Sequence, residues 1–334
     1  MDSIFFTDKT VVLSSANTCG ILGWIHEYTE ERKTTLEKDT LARLKKEKDA
    51  VILAHYYVDG AVQAIADHVG DSFTLAKIAT GIDAKTIVMA GVEFMGETVK
   101  ILNPEKTVYL PDPDADCPMA HMVDVDAIKE MREKYDDLAV VSYVNSTAEV
   151  KAHSDYCLTS SNAAKVVGAI DAKHIFFIPD GNLGQNTEGA FPDKHFINNA
   201  GCCPVHDSLT ADMVRALKKQ YPDAPVFCHP ECKPEVLELA DYTGSTKGIL
   251  SAVGDLNKDK NIILTEEGIG WELNRLYPDK EFIFPDLICT GMKMVTIDKI
   301  IHVLETGDNE VLLDADLIEK AKVPLDRMLA IASK

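Results

Sequence analysis

Basic residues are scarce in this chain. Lys and Arg number 34 against 54 Asp and Glu, a net charge of −20. Nucleic acids and anionic membrane surfaces are gripped by neutralising phosphates with Lys and Arg, so neither is expected as a partner. Long apolar runs are also missing, and none nears the roughly 20 residues that span a bilayer. The opening residues, Met1-Asp2-Ser3-Ile4-Phe5-Phe6, lack the basic and apolar regions of a secretory signal. A cytoplasmic location is therefore expected, where thiols stay reduced. The eight cysteines (Cys19, Cys117, Cys157, Cys202, Cys203, Cys228, Cys232 and Cys289) then need a reading other than disulfides. Most suit the core, since free cysteine packs as a small hydrophobe; a few are open to ligand or nucleophile roles.

What is present is a repeat. Lys45-Lys46-Glu47-Lys48 leads into Ala50-Val51-Ile52-Leu53-Ala54-His55, Arg132-Glu133-Lys134 into Ala139-Val140-Val141-Ser142-Tyr143, and Lys218-Lys219 into Pro225-Val226-Phe227-Cys228-His229. His55, Tyr143 and His229 are spaced 88 and then 86 residues apart, as are Asp67, Asp155 and Asp241. Pro104-Glu105-Lys106, Pro192-Asp193-Lys194 and Pro278-Asp279-Lys280 keep the same register. Each of these introduces a short strand pattern running toward Cys117, Cys203 or Cys289, which lie 86 residues apart both times. Self-similarity at a fixed period marks a repeated unit.

Within each unit, helical patterns alternate with apolar runs of four to seven residues, the mark of strands buried on both faces of a parallel sheet. The expected fold is α/β: three homologous three-stranded parallel αβα domains with pseudo-threefold symmetry around a central site. The expected boundaries are 1–39 for an unassigned N-terminal extension and 40–121, 122–208 and 209–334 for the units, the last carrying the C-terminal helices. An amphipathic helix over Glu30–Lys48 suits either a dimer contact or the monomer surface. Ligands bind beyond the carboxyl ends of parallel strands. His55, Tyr143, Asn145, His229, Glu231 and Glu266 fall at such ends, and of the polar residues there or nearby His55, Tyr57, Tyr143, Asn145, His206, His229 and Glu231 have the chemistry to bind carboxylates or move protons.

One cysteine per unit brings three thiolates to the shared axis. They suit an iron–sulfur cubane with one iron left open, a zinc ion with a water as fourth ligand, or three structural thiols. Cys203 is preferred over Cys202 because Cys203-Pro204 repeats Cys117-Pro118 and because it alone gives equal spacing. Cys228 reads as a core strand residue and Cys232 as a helix-start thiol; no second Cys pair at zinc-ribbon spacing accompanies them. Gly70-Asp71-Ser72, Thr159-Ser160-Ser161 and Gly244-Ser245-Thr246 each precede a helical pattern. They read either as plain caps or as three seats for a polyanionic ligand.

Several segments resemble the quinolinate synthase family: Ala54-His55-Tyr56-Tyr57, Ala66-Asp67-His68-Val69-Gly70-Asp71-Ser72, Ala90-Gly91-Val92-Glu93-Phe94-Met95, Pro179-Asp180-Gly181-Asn182-Leu183-Gly184, Cys203-Pro204-Val205-His206 and His229-Pro230-Glu231-Cys232. The likeness runs from about Leu41 to Met328. It implies synthesis of quinolinate, the pyridine precursor of NAD, from iminoaspartate and dihydroxyacetone phosphate with loss of phosphate and water. It also implies one oxygen-sensitive 4Fe–4S cluster on Cys117, Cys203 and Cys289 with an open iron. By the same resemblance Ser72, Ser160, Ser245 and Thr246 seat carboxylate or phosphate, and His55, Tyr57, Asn145, His206 and His229 hold intermediates. Glu231 is then the general base and Tyr143 assists positioning or proton transfer, with Tyr57 and His229 in the catalytic group. Transient contact with the enzyme supplying iminoaspartate is a further option. Tyr56 stands where the family more often has Asn, and Gly291 where Asn commonly follows the third cysteine. The alternatives are another cluster-dependent hydro-lyase of a hydroxy acid and a non-enzymatic iron–sulfur sensor.

Overall fold

The computed structural model describes residues 36–333, together with the backbone of a two-residue antiparallel pair, β1 (Phe6–Thr7) and β2 (Thr10–Val11). The rest of the expected extension 1–39, and the first turns of the Glu30–Lys48 helix, lie outside the described residues. From residue 36 to 48 the chain is helical, with Leu41 and Leu44 buried.

Three parallel four-stranded sheets follow. The first contains β3 (Ala50–His55), β4 (His68–Gly70), β5 (Thr86–Ala90) and β6 (Thr107–Tyr109), in the order β4-β3-β5-β6. The second repeats that order with β7 (Leu138–Tyr143), β8 (Tyr156–Leu158), β9 (His174–Ile178) and β10 (His195–Asn198). The third does so with β11 (Val226–Cys228), β12 (Tyr242–Thr243), β13 (Lys260–Leu264) and β14 (Glu281–Ile283). The central strands are mostly apolar and buried, β5 at every position, because helices cover both faces.

The register confirms the repeat residue by residue. Ala50 pairs with Thr86, and 88 positions on Leu138 pairs with His174; Val140 pairs with Phe176, and 86 positions on Val226 pairs with Ile262. The recurring aspartates have one job. Asp67, Asp155 and Asp241 each accept a hydrogen bond at 2.8 Å from the backbone N–H of Ile52, Val140 or Val226 on the neighbouring strand. Each also donates its own N–H back to the same residue's carbonyl. A basic partner from the preceding helix faces each carboxylate: Lys45, Arg132 and Lys218.

The α/β class and the triplication stand as expected, with one strand more per sheet. The addition is the edge strand after each aspartate, only two or three residues long, too short to show a period.

The C-terminal segment does not stay with the third unit. Leu110 N–H donates to Asn309 O at 3.1 Å and Val311 N–H to Val108 O at 2.8 Å, so residues 309–311 extend the edge of the first sheet beyond β6. The last helix, Ala315–Ala332, packs on β8, on the helix Ala148–Ala152 of the second unit and on the helix Glu93–Leu102 of the first. Arg327 anchors it through Asp155 O at 2.7 Å and lies over the Tyr156 ring at 5.3 Å. One large apolar cluster accordingly joins the first two sheets and the C-terminal helices, while the third sheet has separate cores on its two faces. Among the described residues no helix is long and apolar enough to cross a membrane.

Candidate active site

The carboxyl ends of all three sheets open on one cavity. The first unit lines it with His55, Tyr57, Ser72 and Cys117, the second with Tyr143, Asn145, Ser160, Cys203 and His206, and the third with His229, Glu231, Thr246 and Cys289. Of the residues expected there, Ser245 alone does not line it. Asp71, Glu266 and a rim of Phe73, Val92, Phe94, Val205 and Met292 are additional.

The three cysteines share one local geometry. Each is the extended residue before a single helical turn: Pro118–His121, Pro204–Asp207 and Thr290–Lys293. Backbone N–H groups of that turn face each sulfur, from Met119, from His206 and Val205, and from Met292 and Gly291. Such groups favour the thiolate. Burial works the other way and prevails, raising all three thiols above their ordinary value. Cys117 is raised further by Cys203 and Cys289, which lie close enough for the three charges to repel. Three mutually repelling buried thiolates need positive charge among them, so the donor set fits a metal centre.

Two donor groups in the described residues close to within 4.8 Å, Cys203–His206–Glu231 and Glu93–Asp116–His121; the three cysteine sulfurs are not such a group. Three thiolates on one tetrahedral zinc ion would sit about 3.8 Å apart, given Zn–S bonds of about 2.3 Å. As they stand, the three sulfurs are not drawn together to that distance.

The acid–base groups interlock. Glu231 accepts from the Tyr143 phenol on one oxygen and from His206 Nδ1 at 2.9 Å on the other. Burial would raise this carboxyl, but His229, His206 and the two hydrogen bonds outweigh it and hold it below the ordinary range. His206 shows the reciprocal effect: burial would lower it, and facing Glu231 lifts it to about 9. Burial drives His55 and His229 down to about 3, so both are neutral. Their Nδ1 atoms accept the backbone N–H of Tyr57 (3.1 Å) and Glu231 (3.4 Å), which leaves the proton on Nε2. Asp180, wholly buried at the second sheet's end, is raised to about 8 by burial and by the charge of Glu231.

Tyr57 bonds Thr246 Oγ1 at 2.8 Å and Thr265 Oγ1 at 2.6 Å. The turn bearing Tyr143 and Asn145 is held from beneath: Ser146 Oγ donates to Tyr143 O at 2.8 Å, and the fully buried Lys151 donates to Ser146 O. Glu266 accepts from Lys293 at 3.0 Å, Gly268 N–H at 2.7 Å and Cys289 N–H at 3.2 Å, bracing the third cysteine.

The three helix starts differ. Asp71 caps Ser72–Ala79 through Thr74 N–H at 2.8 Å, and Ser245 caps Thr246–Leu256 through Gly248 N–H at 3.2 Å. In the second unit the helix begins only at Ala163, and Asn162 Oδ1 accepts from Thr159 N–H instead, so Ser160 lies in the loop before it. Cys228 ends β11 in the core as expected, whereas Cys232 is buried before Lys233, which holds the helix-start position. Tyr56 and Gly291 do not line the cavity. Tyr56 packs in the third unit's core, and a Cβ at Gly291 would meet Asp116 O at 2.4 Å.

Sequence reasoning placed Glu266 at a strand end and gave it no role. Asp180 was visible only inside a family-like motif, and Thr265 was not singled out. A strand-end position says that a side chain is near the site, not which partner it meets.

Three parallel α/β units that each bring a cysteine and titratable side chains to one shared cavity mark the class of protein as an enzyme. The family model described as Quinolinate synthetase A protein matches residues 39–330, and the chain belongs to that family. A quinolinate synthase from Fusobacterium nucleatum is 54% identical over 298 residues, covering 88% of this chain and 99% of that protein. One from Aquifex aeolicus is 45% identical, covering 92% and 97%. Quinolinate synthase 2 of Methanosarcina acetivorans is 43% identical, covering 88% and 95%.

Proposed function

We propose that this chain makes quinolinate for NAD biosynthesis in the cytoplasm, as an oxygen-sensitive transferase that joins iminoaspartate to dihydroxyacetone phosphate with loss of phosphate and two waters. The observation that carries the reading is the convergence of Cys117, Cys203 and Cys289 with the Tyr143–Glu231–His206 chain on one cavity. Both substrates are anions, yet among the described residues no Lys or Arg lines the cavity. A 4Fe–4S cluster on the three cysteines would supply an open iron, a Lewis acid for a substrate oxygen.

The protein's own residues do the rest. Neutral His55 and His229 offer Nε2–H donors to carboxylate oxygens. Thr246, at the start of an eleven-residue helix, and Ser72, in the first turn of another, seat carboxylate or phosphate where backbone N–H groups are free; Ser160 completes the seats, and Ser245 serves them from behind as the cap that holds the Thr246 helix start. Asn145 holds the intermediate. Tyr143 stays protonated, because burial and the Glu231 charge raise it well above its ordinary value. It delivers its proton when a substrate oxygen becomes basic enough, and the proton held on His206 then passes through Glu231 to restore the phenol. Glu231 acts as base through the same bond, while His206 stores the neighbouring proton.

The test begins with iron and acid-labile sulfide on protein purified without oxygen. About four of each per chain are expected, lost in Cys117→Ala, Cys203→Ala and Cys289→Ala alike. The reconstituted enzyme should then form quinolinate from the two substrates. Zinc in place of iron, or metal that depends only on Cys203, would favour a single-ion site on Cys203, His206 and Glu231. A fully loaded enzyme that makes no quinolinate ends the reading.

A further inference from the structure

Thr265 follows the last residue of β13, is 0% exposed and does not line the cavity, yet it joins two groups that do. Its Oγ1 lies 2.6 Å from the Tyr57 phenol oxygen and 2.9 Å from His206 Nε2. Beyond them the chain continues to Thr246 Oγ1 at 2.8 Å on one side and to Glu231 Oε2 at 2.9 Å on the other. These five residues come from all three units, and Thr265 is the central link.

Donor counting shows what that link does. A threonine hydroxyl has one proton to give, and a buried one has no water to give it to. The proton of Thr265 therefore goes to His206 Nε2 or to Tyr57. If His206 has given up a proton and Nε2 is bare, Nε2 receives it, and Tyr57 is left to donate to Thr265 and to accept from Thr246. If Tyr57 receives it, Nε2 must carry a hydrogen itself, and the phenol proton turns to Thr246. The direction of the whole chain is thus set at one hydroxyl, and with it whether Thr246 meets a ligand as donor or acceptor.

We propose that Thr265 is a positioning residue for the reaction, fixing the Tyr57 phenol and the His206 ring in one shared donor–acceptor direction. It touches no ligand and acts through those two side chains. The inference rests on the proposed function for its kinetic arm alone.

Thr265→Val keeps the shape and removes the hydroxyl. It should lower kcat for quinolinate formation about 10- to 100-fold, the scale of a lost alignment, with KM nearly unchanged and iron and sulfide content equal to wild type. Thr265→Ser should restore most of the rate. Nitrogen-15 NMR of the histidines in the full-length protein should show the His206 resonances moved in Thr265→Val and unmoved in Thr265→Ser. If Thr265→Val does not fold, Thr265→Ala takes its place with the same expectations. A kcat within about twofold of wild type, where one tenfold step is 1.4 kcal/mol, overturns the proposal, as does a serine variant no better than valine. Should the wild type make no quinolinate, the histidine spectra still decide: His206 signals unchanged by Thr265→Val overturn it.

Discussion

Asn145 lines the cavity with its Oδ1 buried and without a hydrogen-bond partner. An unpaired buried carbonyl costs about 1–3 kcal/mol, a cost that a ligand N–H or O–H would remove on binding. Asn145→Ala should therefore raise KM about tenfold, equivalent to 1.4 kcal/mol, while the melting temperature holds or rises; an unchanged KM in steady-state kinetics would count against the assignment. Asp180 makes a pH prediction. Its carboxyl moves from an ordinary 3.8 to about 8 on folding, so the folded state keeps a proton that the unfolded chain releases. More protons bound in the folded state mean that stability falls as pH rises between those values. Asp180→Asn lacks this titration and retains an oxygen for the Leu183 N–H. Its stability relative to wild type should improve steadily from about pH 4 to pH 8 in urea titrations. A constant difference would show that the carboxyl is already ionised in the folded protein.

Each repeated element carries the same aspartate clamp, and that is why the triplication was legible in the sequence. Asp67, Asp155 and Asp241 recur because a carboxylate tying one strand to the next has no equally good substitute. Removing any one of them by alanine should cost about 1.5–3 kcal/mol, the range for hydrogen bonds to a charged group, and denaturant unfolding should give similar values in all three units. A large spread would mean that the clamps are not equivalent. Ser245→Ala should cost about 1 kcal/mol through the lost cap, read the same way. The fourth strands stayed hidden because Tyr242–Thr243 is too short to alternate. The second helix start was misplaced because Thr159-Ser160-Ser161 offers three hydroxyls, and the side chain that organises the turn is Asn162. Of the site, the cysteines and strand-end residues were readable from spacing and motif. The Tyr57–Thr265–His206 contacts were not, since they join residues about 60 to 200 positions apart across separate sheets, and side-chain meeting points follow from packing rather than from local pattern.

At the scale of the molecule, the C-terminal helix belongs to the packing of the first two units. An amphipathic helix declares an apolar face but not the surface that face will meet, so this docking could not be read in advance. Leu325 is fully buried in the shared core. Leu325→Ala should lower stability by about 2–5 kcal/mol, and calorimetry should show the first two units melting together at a lower temperature. Separate melting of those units in the wild type would contradict the common core.

Residues 309–311 return to the edge of the first sheet, closing a ring whose members were made in order along the chain. Translation proceeds from the N-terminus at about 5–20 residues per second, so Cys117 and Cys203 leave the ribosome well before Cys289 and the segment that completes the ring. For that interval the early thiols stand without their third companion. Maturation of the cavity is consequently an event of the finished polypeptide, and a chain released early, however well its first units fold, emerges with no complete site to fill.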